Sequence, residues 1–421
     1  MSIDEVAHLA DLVNGQPLTE AGAEGWIPRT CFKHGPPGRV GIELEFVVHE
    51  DGPLPARHLD PERLRRLFDD LDKQPLDSSF TVEPGGQVEL SSRPADDLPS
   101  VISVLERDLE VMTTTLGRHG ARLVGTGIDP LPRPSRYLRG PRYEAMEQYF
   151  DRWGPAGRAM MRSTASVQVN VEAGRLGYGP DDLRRRWDLL HTIGPTLAAM
   201  FSTSSRHPGA DPAWAGANHR QGIWLTLDPD RCRAPRIRPT ESLPDAWTRW
   251  VLDAPVAMIR RPDRAWTVPT GLTFRQWLRE GRRAVPDAPA PTWEDLRYHL
   301  TTVFPPVRAR GHLEVRYLDA QPGRWWRVPG AVVSALLDDE RAADAALAAC
   351  TPVADHWWQA ARTGLADTSL RRAAERVLTA AAEALDRAGG PARTLAELTA
   401  GYLDRRPVDP TDPDAAEVRP C

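Results

Sequence analysis

Residues 41–46 read Gly-Ile-Glu-Leu-Glu-Phe, an alternation of apolar and acidic side chains that decides how this chain folds. Successive side chains of a β-strand point to opposite faces, so Glu43 and Glu45 project together while Ile42 and Leu44 face a core. Similar alternation recurs in four further stretches, at residues 81–83, 87–90, 166–171 and 312–317. The sequence therefore predicts one sheet with a face lined by carboxylates and amides.

Carboxylates gathered on one face repel one another and require a compensating cation. Two of them about 5 Å apart repel by roughly 3 kcal/mol at an effective dielectric near 20. These stretches contain no cysteine and a single imidazole, His312, and such an oxygen-rich set suits Mg²⁺ or Mn²⁺ rather than a closed zinc site. Glu43 and Glu45 would lie about 6.5 to 7 Å apart on one strand, which is wide enough for two ions. A two-metal phosphate clamp is therefore plausible.

One Glu-x-Glu pair on a strand is weak support for a site, because exposed strands often carry alternating charges. The joint pattern is stronger, since Gln168, Asn170 and Glu314 repeat it on strands that read as buried, where unpaired polar groups are costly. The residues that the pattern assigns to a metal site are Glu43, Glu45, Glu89 and Glu314, with Glu83 and Gln168 beside them.

Arginine carries almost all of the positive charge. Of 53 basic residues, only Lys33 and Lys73 are lysines. A P-loop needs a lysine after its glycines, and the sequence has no GxxxxGK[ST] motif. It also lacks GxSxG and HExxH, which argues against a Ser-His-Asp hydrolase and against a zinc protease. If this protein handles nucleotide phosphates, arginines and metal ions must bind them.

Three arginines surround the last glutamate of the pattern. Arg308, Arg310 and Arg316 lie on the strand predicted over residues 306–318, at even-numbered positions that share a face with Glu314. They suit the neutralisation of a phosphoryl group beside a metal. They equally suit salt bridges within the sheet, and the residues alone leave both interpretations open.

Composition limits the class of protein. With 421 residues and 41% hydrophobic content the chain can bury a sizeable core. A net charge of −5 without a basic-aromatic strip gives no reason to expect nucleic acid. Neither a bilayer-spanning apolar run nor a signal peptide is indicated. The four cysteines lack CxxC spacing, which favours reduced thiols in a cytoplasm. The sequence does not indicate an oligomeric state.

Periodicity predicts an α+β fold, in which an antiparallel sheet is flanked by helices. Strands are predicted over 40–48, on both sides of the turn at 84–86, over 121–126, over 165–172, after 218–224 and over 306–318. Helices are predicted over 1–20, 61–71, 98–119, 143–150 and 181–202, and a helix or turn over 290–300. Residues 330–349 and 351–389 are rich in alanine and leucine and predict a helical C-terminal section.

We expect a single domain with a catalytic core over residues 1–330, a helical extension of it over 331–403 and a flexible tail over 404–421. Within the core, Arg220 is a candidate for binding a substrate carboxylate, although an arginine at the start of a strand is about as often structural. The loop over 127–142 has four prolines and several arginines, and irregular segments of this length are often functional.

Four motifs stand in order along the chain, GIELEF at 41–46, TVEPGGQVELS at 81–91, MMRSTASVQVNV at 160–171 and LEVRY at 313–317. Together they resemble the plant- and bacterial-type glutamate–cysteine ligases, and most of all the actinobacterial branch that feeds ergothioneine synthesis. The resemblance spans about residues 38–330. It implies a glutamine-synthetase-like catalytic domain whose sheet forms a funnel for MgATP and glutamate.

The resemblance also implies a reaction. ATP would phosphorylate the γ-carboxylate of glutamate, and the amine of cysteine would attack the acyl phosphate to give γ-glutamylcysteine, ADP and phosphate. A closing loop should keep water from the acyl phosphate, and we expect residues 127–142 to be part of that cover.

The motif positions imply a role for each site residue. One metal would be held by Glu45, Glu89 and Glu314, and the other by Glu43, Glu83 and Gln168. The phosphates would contact Arg308, Arg310 and Arg316. The substrates would contact Arg220, Tyr143, Thr164 and Asn170. The chain departs from the family at Gln168, where related ligases can carry histidine.

Two other functions stay open on the residues. A related carboxylate–amine ligase with a different amine acceptor would use the same metal and phosphate residues, because these report only that a carboxylate is activated. A non-enzymatic member of the fold that binds metal or nucleotide would also keep them.

Overall fold

The computed structural model describes residues 18–52, 56–132, 135–177, 179, 181–205 and 211–404. Within them, the strands of one sheet are β1 (Val40–Glu50), β2 (Ser79–Val82), β3 (Val88–Ser91), β4 (Ala121–Val124), β5 (Ser166–Val171), β6 (Val307–Ala309) and β7 (Leu313–Asp319). Their order is β2-β3-β1-β5-β7-β6, and β4 pairs with the second half of β1. These strand pairs are all antiparallel.

Helices before β6 are α1 (Glu20–Cys31), α2 (Pro61–Leu71), α3 (Leu98–Arg118), α4 (Pro141–Phe150), α5 (Ala156–Ser163), α6 (Leu183–Met200), α7 (His219–Thr226), α8 (Pro229–Cys232), α9 (Leu243–Asp253), α10 (Phe274–Glu280) and α11 (Trp293–Leu300). Those after β7 are α12 (Arg327–Asp338), α13 (Glu340–Cys350), α14 (Trp357–Arg362), α15 (Thr368–Ala388) and α16 (Ala392–Ala400). The predicted α+β class, with its antiparallel sheet and helical C-terminal section, is confirmed.

The apolar face of the sheet forms one side of the hydrophobic core. The side chains predicted to face it are at most 1% exposed, and they are Ile42, Leu44, Val167, Val169, Leu313 and Val315. Helices α3, α6 and α12 pack on this side of the strands. In α12 a Cβ at Gly330 would lie 2.6 Å from Cδ1 of Ile42, so a larger residue here would require the Ile42 side chain to shift.

Local sequence explains several element boundaries. Helix α2 begins where predicted, because the Asp60 carboxylate accepts hydrogen bonds from the backbone N–H groups of Glu62 and Arg63 at 3.0 Å. The predicted hairpin is also confirmed, since the Glu83 N–H donates to the Gln87 carbonyl at 2.8 Å across the turn between β2 and β3.

Two strand predictions were wrong. Residues 218–224 do not lead into a strand, because the Asn218 side chain caps a helix by accepting from the Gln221 N–H at 2.8 Å, and α7 follows. The single strand predicted over 306–318 is a hairpin of β6 and β7. Gly311 adopts a φ of +82°, a left-handed conformation that favours glycine and reverses the chain.

Residues 1–17 and 405–421 lie outside the described residues, and so do most of the helix predicted over 1–20 and the tail predicted at the C-terminus. Cys31, Cys232 and Cys350 are buried and unbridged, whereas Cys421 is not among the described residues. Where the structure describes the chain, none of its helices has both the length and the apolar character that crossing a membrane requires.

Candidate functional site

Strand register brings the predicted polar residues onto one face. On β1, Glu43 lies opposite Gln168 of β5 and Glu45 lies opposite Glu89 of β3. Directly opposed residues of antiparallel strands project from the same side of the sheet. On the neighbouring pair, Asn170 of β5 lies opposite Glu314 of β7. Segments far apart in the sequence therefore meet in one acidic surface.

This surface forms the floor of a cavity of about 330 Å³, which we call the acidic cavity. Asn170 and Glu314 do not line the cavity but contact its walls through Glu43 and Arg308. The predicted site residues that line it are Glu43, Glu45, Glu83, Glu89, Tyr143, Thr164, Gln168, Arg220, Arg308, Arg310 and Arg316.

Glu45 is held by donors on both of its oxygens. The Ser166 N–H donates to Oε2 at 2.8 Å, and Nε2 of Gln168 donates to Oε1 at 2.9 Å. The other end of the Gln168 amide is also used, because its Oε1 accepts from Nη1 of Arg316 at 2.5 Å. Gln168 therefore orients a carboxylate and an arginine, and in this arrangement its oxygen is not a free ligand atom.

Polar partners also fix the carboxylates of Glu43 and Glu89. Oε1 of Glu43 accepts from Nδ2 of Asn170 at 3.1 Å, and Oε1 of Glu89 accepts from Oγ of Ser91 at 2.7 Å. Each of these glutamates keeps a second oxygen for which no hydrogen bond is recorded within the described part of the chain. The floor thus presents pre-positioned carboxylate oxygens.

The carboxylates of the cavity hold protons more strongly than usual. Burial, followed by repulsion from Glu314 and Glu89, raises the pKa of Glu43 to about 7. Burial, followed by repulsion from Glu45 and Glu89, raises the pKa of Glu83 to about 8. Burial also raises the pKa of Glu45 and of Glu89. A divalent cation among these oxygens would relieve the repulsion, so the donor set fits a hard ion such as Mg²⁺.

Glu314 is different, because arginines already surround its buried carboxylate. Arg308 forms a two-pronged hydrogen bond with it, and Nη1 atoms of Arg316 and Arg310 lie 3.3 and 3.5 Å from its oxygens. Burial alone would raise the pKa of Glu314, but the three guanidinium groups outweigh it and lower that pKa. In this arrangement Glu314 is the counter-ion of the arginines, and the metal role predicted for it stays a prediction.

The arginines form the cationic wall of the acidic cavity. They converge because the β6–β7 hairpin places Arg308 opposite Glu314, so the same-face expectation holds although the single strand was wrong. Phe304 supports two of them, with the guanidinium carbons of Arg308 and Arg316 at 5.9 and 5.7 Å from its ring centre. Arg310 is the most accessible, with 46% of its side chain exposed.

Arg220 reaches the same wall from helix α7. Its Nη2 donates to the Arg316 carbonyl at 2.8 Å, and its Nη1 lies 3.7 Å from Oδ1 of Asp319. Its Nε and Nη1 atoms are buried without a hydrogen-bond partner among the described residues. Buried donors left unpaired are costly, so this guanidinium is suited to receive an anionic group.

The turn of the β2–β3 hairpin packs against the C-terminal end of α5. A Cβ on Gly85 would lie 2.1 Å from the Arg162 carbonyl oxygen, so no larger residue fits there. Nε2 of Gln87 donates to the Thr164 carbonyl at 2.9 Å. These contacts fix the position of Glu83, which enters the acidic cavity from this turn.

Sequence reasoning missed several residues that line the site, most of them on helices and loops. Arg142 precedes the predicted Tyr143 on α4, and its guanidinium lies 5.0 Å from the ring centre of Tyr298. Its neighbour in sequence was the only available signal, because helical residues do not show the period-two pattern that revealed the strands. The other lining residues that were missed include Met146, Met160, Met161, Ser166, Trp224, Thr301 and Phe304.

A second cavity of about 360 Å³ adjoins the acidic one and shares Trp224, Phe304 and Arg316 with it. Its walls include Trp357 and Trp358. We call it the aromatic cavity. It offers flat apolar surfaces directly beside the charged groups.

Comparison with known proteins places the chain among relatives. A model described as glutamate-cysteine ligase family 2 (GCS2) matches residues 39–404. The chain is 40% identical over 374 residues to the glutamate–cysteine ligase EgtA of Mycobacterium tuberculosis, covering 86% of this chain and 83% of that protein. It is 29% identical over 331 residues to the chloroplastic glutamate–cysteine ligase of Arabidopsis thaliana, covering 74% of this chain and 60% of the plant protein.

Similarity to solved structures is weaker. A bifunctional glutathione synthetase from Pasteurella multocida aligns with a TM-score of 0.43 and 13% identity, covering 92% of this chain and 52% of that one. A glutamate–cysteine ligase from Francisella tularensis, solved in complex with AMP, aligns with a TM-score of 0.39 and 13% identity, covering 89% and 83%.

Proposed function

Because this chain belongs to glutamate-cysteine ligase family 2, we propose that it joins the γ-carboxylate of glutamate to the amine of cysteine in a reaction driven by ATP. A carboxylate oxygen of glutamate attacks the γ-phosphorus of ATP and releases ADP. The amine of cysteine, once deprotonated, then attacks the acyl carbon and releases phosphate. The products are γ-glutamylcysteine, ADP and phosphate.

One observation supports this proposal above all: carboxylates and arginines line the same cavity of about 330 Å³. The first step brings two anions together, which is unfavourable unless positive charge separates them. Arg308, Arg310 and Arg316 supply that charge on one wall, and their positions suit the transferring phosphoryl group. The unpaired donors of Arg220 suit the α-carboxylate of glutamate.

Mg²⁺ would be held by Glu43, Glu45, Glu83 and Glu89, whose pKa values are raised by burial and by repulsion between neighbouring carboxylates. When bound, the ion would shield the phosphate from the carboxylate and polarise the phosphoryl oxygens. Glu314 and Gln168 are further candidate ligands of the ion. Mn²⁺ has similar ligand preferences and could substitute.

The aromatic cavity supports the nucleotide half of the proposal. Trp224, Trp357 and Trp358 offer apolar faces on which a planar base can stack. Arg316 lines both cavities and would lie between the base and the phosphates. The adenine of ATP would then occupy the aromatic cavity while its phosphates reach the acidic one. Tyr143 and Thr164, which line the acidic cavity, would contact the bound glutamate.

Phosphate release by the purified protein tests the proposal. With MgATP and glutamate we expect turnover that depends on cysteine, with γ-glutamylcysteine identified by mass spectrometry. Hydroxylamine in place of cysteine should trap glutamyl hydroxamate from the acyl phosphate. Turnover with another amine but not with cysteine would instead indicate a related carboxylate–amine ligase. No phosphate release with any amine would reject an enzymatic function.

The relatives named EgtA support one further step of the proposal. We propose that the γ-glutamylcysteine made here serves ergothioneine biosynthesis, and that the enzyme works in the cytoplasm, where its cysteine substrate stays reduced. Deleting the gene in its host should lower ergothioneine in cell extracts. Unchanged ergothioneine would contradict this assignment while leaving the ligase activity intact.

A further inference from the structure

A second cluster of metal-ligating side chains lies outside the acidic cavity. It contains His49 near the end of β1, His58 before α2 and Asp129 after β4, and their ligand atoms all lie within 4.8 Å of one another. His49 and Asp129 are buried, whereas 27% of the His58 side chain is exposed. The three residues come from three separate segments of the chain.

Both imidazoles direct the same nitrogen at one carboxylate. Nε2 of His49 lies 3.0 Å from Oδ1 of Asp129, and Nε2 of His58 lies 2.7 Å from Oδ2. Ligand atoms about 2.1 Å from one tetrahedral ion lie roughly 3.4 Å apart, so the imidazole–carboxylate distances of the metal-free cluster are those of hydrogen bonds. An ion would replace the Nε2 protons that make these bonds and bring the three ligand atoms to a common spacing.

The chemistry of this cluster differs from that of the acidic cavity. Two neutral imidazoles and one carboxylate suit a borderline transition metal such as Zn²⁺ or Co²⁺, whereas Mg²⁺ prefers oxygen ligands. Oδ1 of Asp129 also accepts from the Leu131 N–H at 3.0 Å, so a backbone contact holds the carboxylate between the two imidazoles.

The cluster also has room for further ligands and a route for the ion. His58 and Asp129 line a cavity of about 230 Å³, separate from the acidic cavity although the two share Gln87. Its other walls include Arg136, Arg139 and Arg162. Water or a small anion in this space could complete the coordination of an ion held by three protein ligands.

We propose that His49, His58 and Asp129 bind a divalent transition-metal ion of the Zn²⁺ class at a second site. The ion would tie the end of β1 and the start of α2 to the segment after β4. That segment borders the acidic cavity, because the Asp129 N–H donates to the Ser163 carbonyl at 2.7 Å and Ile128 pairs with Thr164. The site would thus stiffen one wall of the acidic cavity.

Cobalt spectroscopy on the full-length protein tests this site directly. The protein is stripped of metal and titrated with Co²⁺ in excess Mg²⁺, so that the acidic cavity is filled by the harder ion. We expect one equivalent of Co²⁺ with visible d–d bands, competition by Zn²⁺ and a higher Tm. His58→Gln should weaken Co²⁺ binding at least tenfold, because it removes a ligand that is partly exposed and tolerant of change.

Two further variants keep the test decisive. His119→Gln is the matched control, because Nε2 of His119 also lies on a carboxylate, Asp70 at 2.9 Å, but without a second histidine, and it should bind Co²⁺ like the wild type. His58→Cys should add a thiolate-to-Co²⁺ charge-transfer band, which appears only if residue 58 is a ligand. Wild-type protein that binds no Co²⁺ in excess Mg²⁺, or equal binding by His58→Gln, would overturn the proposal and leave a hydrogen-bonded triad.

Discussion

Glu45 combines a fixed position with a raised pKa. Its oxygens are held by the Ser166 N–H and by Gln168, so the side chain needs no metal to stay in place. We expect Glu45→Gln to keep the fold and to lower kcat at least 100-fold, which corresponds to about 2.7 kcal/mol of lost transition-state stabilisation. Steady-state phosphate release measures this, with the exposed helix residue Glu375 changed to Gln as the control. Normal turnover in Glu45→Gln would contradict its place at the metal.

Glu314 should behave differently although the sequence pattern treats the two residues alike. Removing its carboxylate leaves the buried Arg308 guanidinium without its main partner. We expect Glu314→Ala to lower the free energy of unfolding by about 3 to 5 kcal/mol, as for other broken buried ion pairs. Urea denaturation measures this loss, and a change below about 1 kcal/mol would show that solvent or Asp319 compensates the arginines.

The raised pKa values of the cavity predict how stability depends on pH. Glu43 and Glu83 have pKa values of about 7 and about 8 in the folded metal-free protein, against an ordinary 4.5. Between these limits the folded state binds more protons at these two carboxyl groups than the unfolded state, so they lower stability as pH rises from about 4.5 to about 8. Each unit of pKa shift contributes about 1.4 kcal/mol. The buried His191, His299 and His312 act in the opposite direction below about pH 6.5, because burial lowers their pKa values. Urea midpoints between about pH 7 and pH 8, above that range and with metal removed, should show the decline.

Two comparisons identify the groups responsible for that decline. Glu83→Gln cannot ionise, so its stability should fall less steeply with pH than that of the wild type. Added Mg²⁺ favours the ionised carboxylates and should flatten the profile at the upper end of the range. Stability of the metal-free protein that rises between about pH 7 and pH 8 would show that the carboxylates are already compensated.

At the scale of elements, the sequence predicted best those conformations that are determined by residues close together in the chain. The alternation at residues 41–46, the cap at Asp60 and the turn at 84–86 each specify a local conformation, and each was found. Residues 218–224 were misread because apolar and polar residues alternate there only briefly, while the Asn218 cap decides in favour of a helix. The chain reversal at Gly311 was missed because the polar and apolar pattern on both sides of it was read as one continuous strand.

The candidate site was predictable to the extent that strands supply it. Period-two alternation showed which face carries Glu43, Glu45 and Glu89, and pairing on a sheet brings such faces together. The sequence left open whether the three arginines form salt bridges with Glu314, because that depends on the three-dimensional convergence of two strands. It also could not show Arg142 or Trp224, which approach from helices whose contacts are set by tertiary packing.

The segment predicted as a cover over 127–142 consists of two parts. Residues 127–130 are buried and bonded to the core, whereas residues 135–139 are half-buried or exposed, and the Tyr137 N–H donates to the Pro84 carbonyl at 2.7 Å. We therefore expect only the outer part to move when substrates bind. Limited trypsin digestion should cut at Arg136 or Arg139 in the free protein and markedly more slowly with MgATP and glutamate. Equal cleavage rates would reject the cover.

At the scale of the whole molecule, the helical C-terminal section completes the core. Helix α12 packs on the sheet at Gly330, and α13, α15 and α16 pack around it in turn. We propose that the catalytic core and this section form one domain. Tryptophan fluorescence and far-UV circular dichroism should then report a single urea transition with the same midpoint. Two separated transitions would show that the helical section unfolds by itself.

The buried thiols have a consequence for an enzyme that handles cysteine. Burial raises the pKa of Cys31 to about 12 and of Cys350 to about 11, and it also raises the pKa of Cys232. The thiolate is the reactive form, so these three side chains are poor nucleophiles at physiological pH. Oxidised substrate and cellular electrophiles therefore should not react with these three thiols in the folded protein. Mixed disulfides with them can form only after the surrounding structure opens.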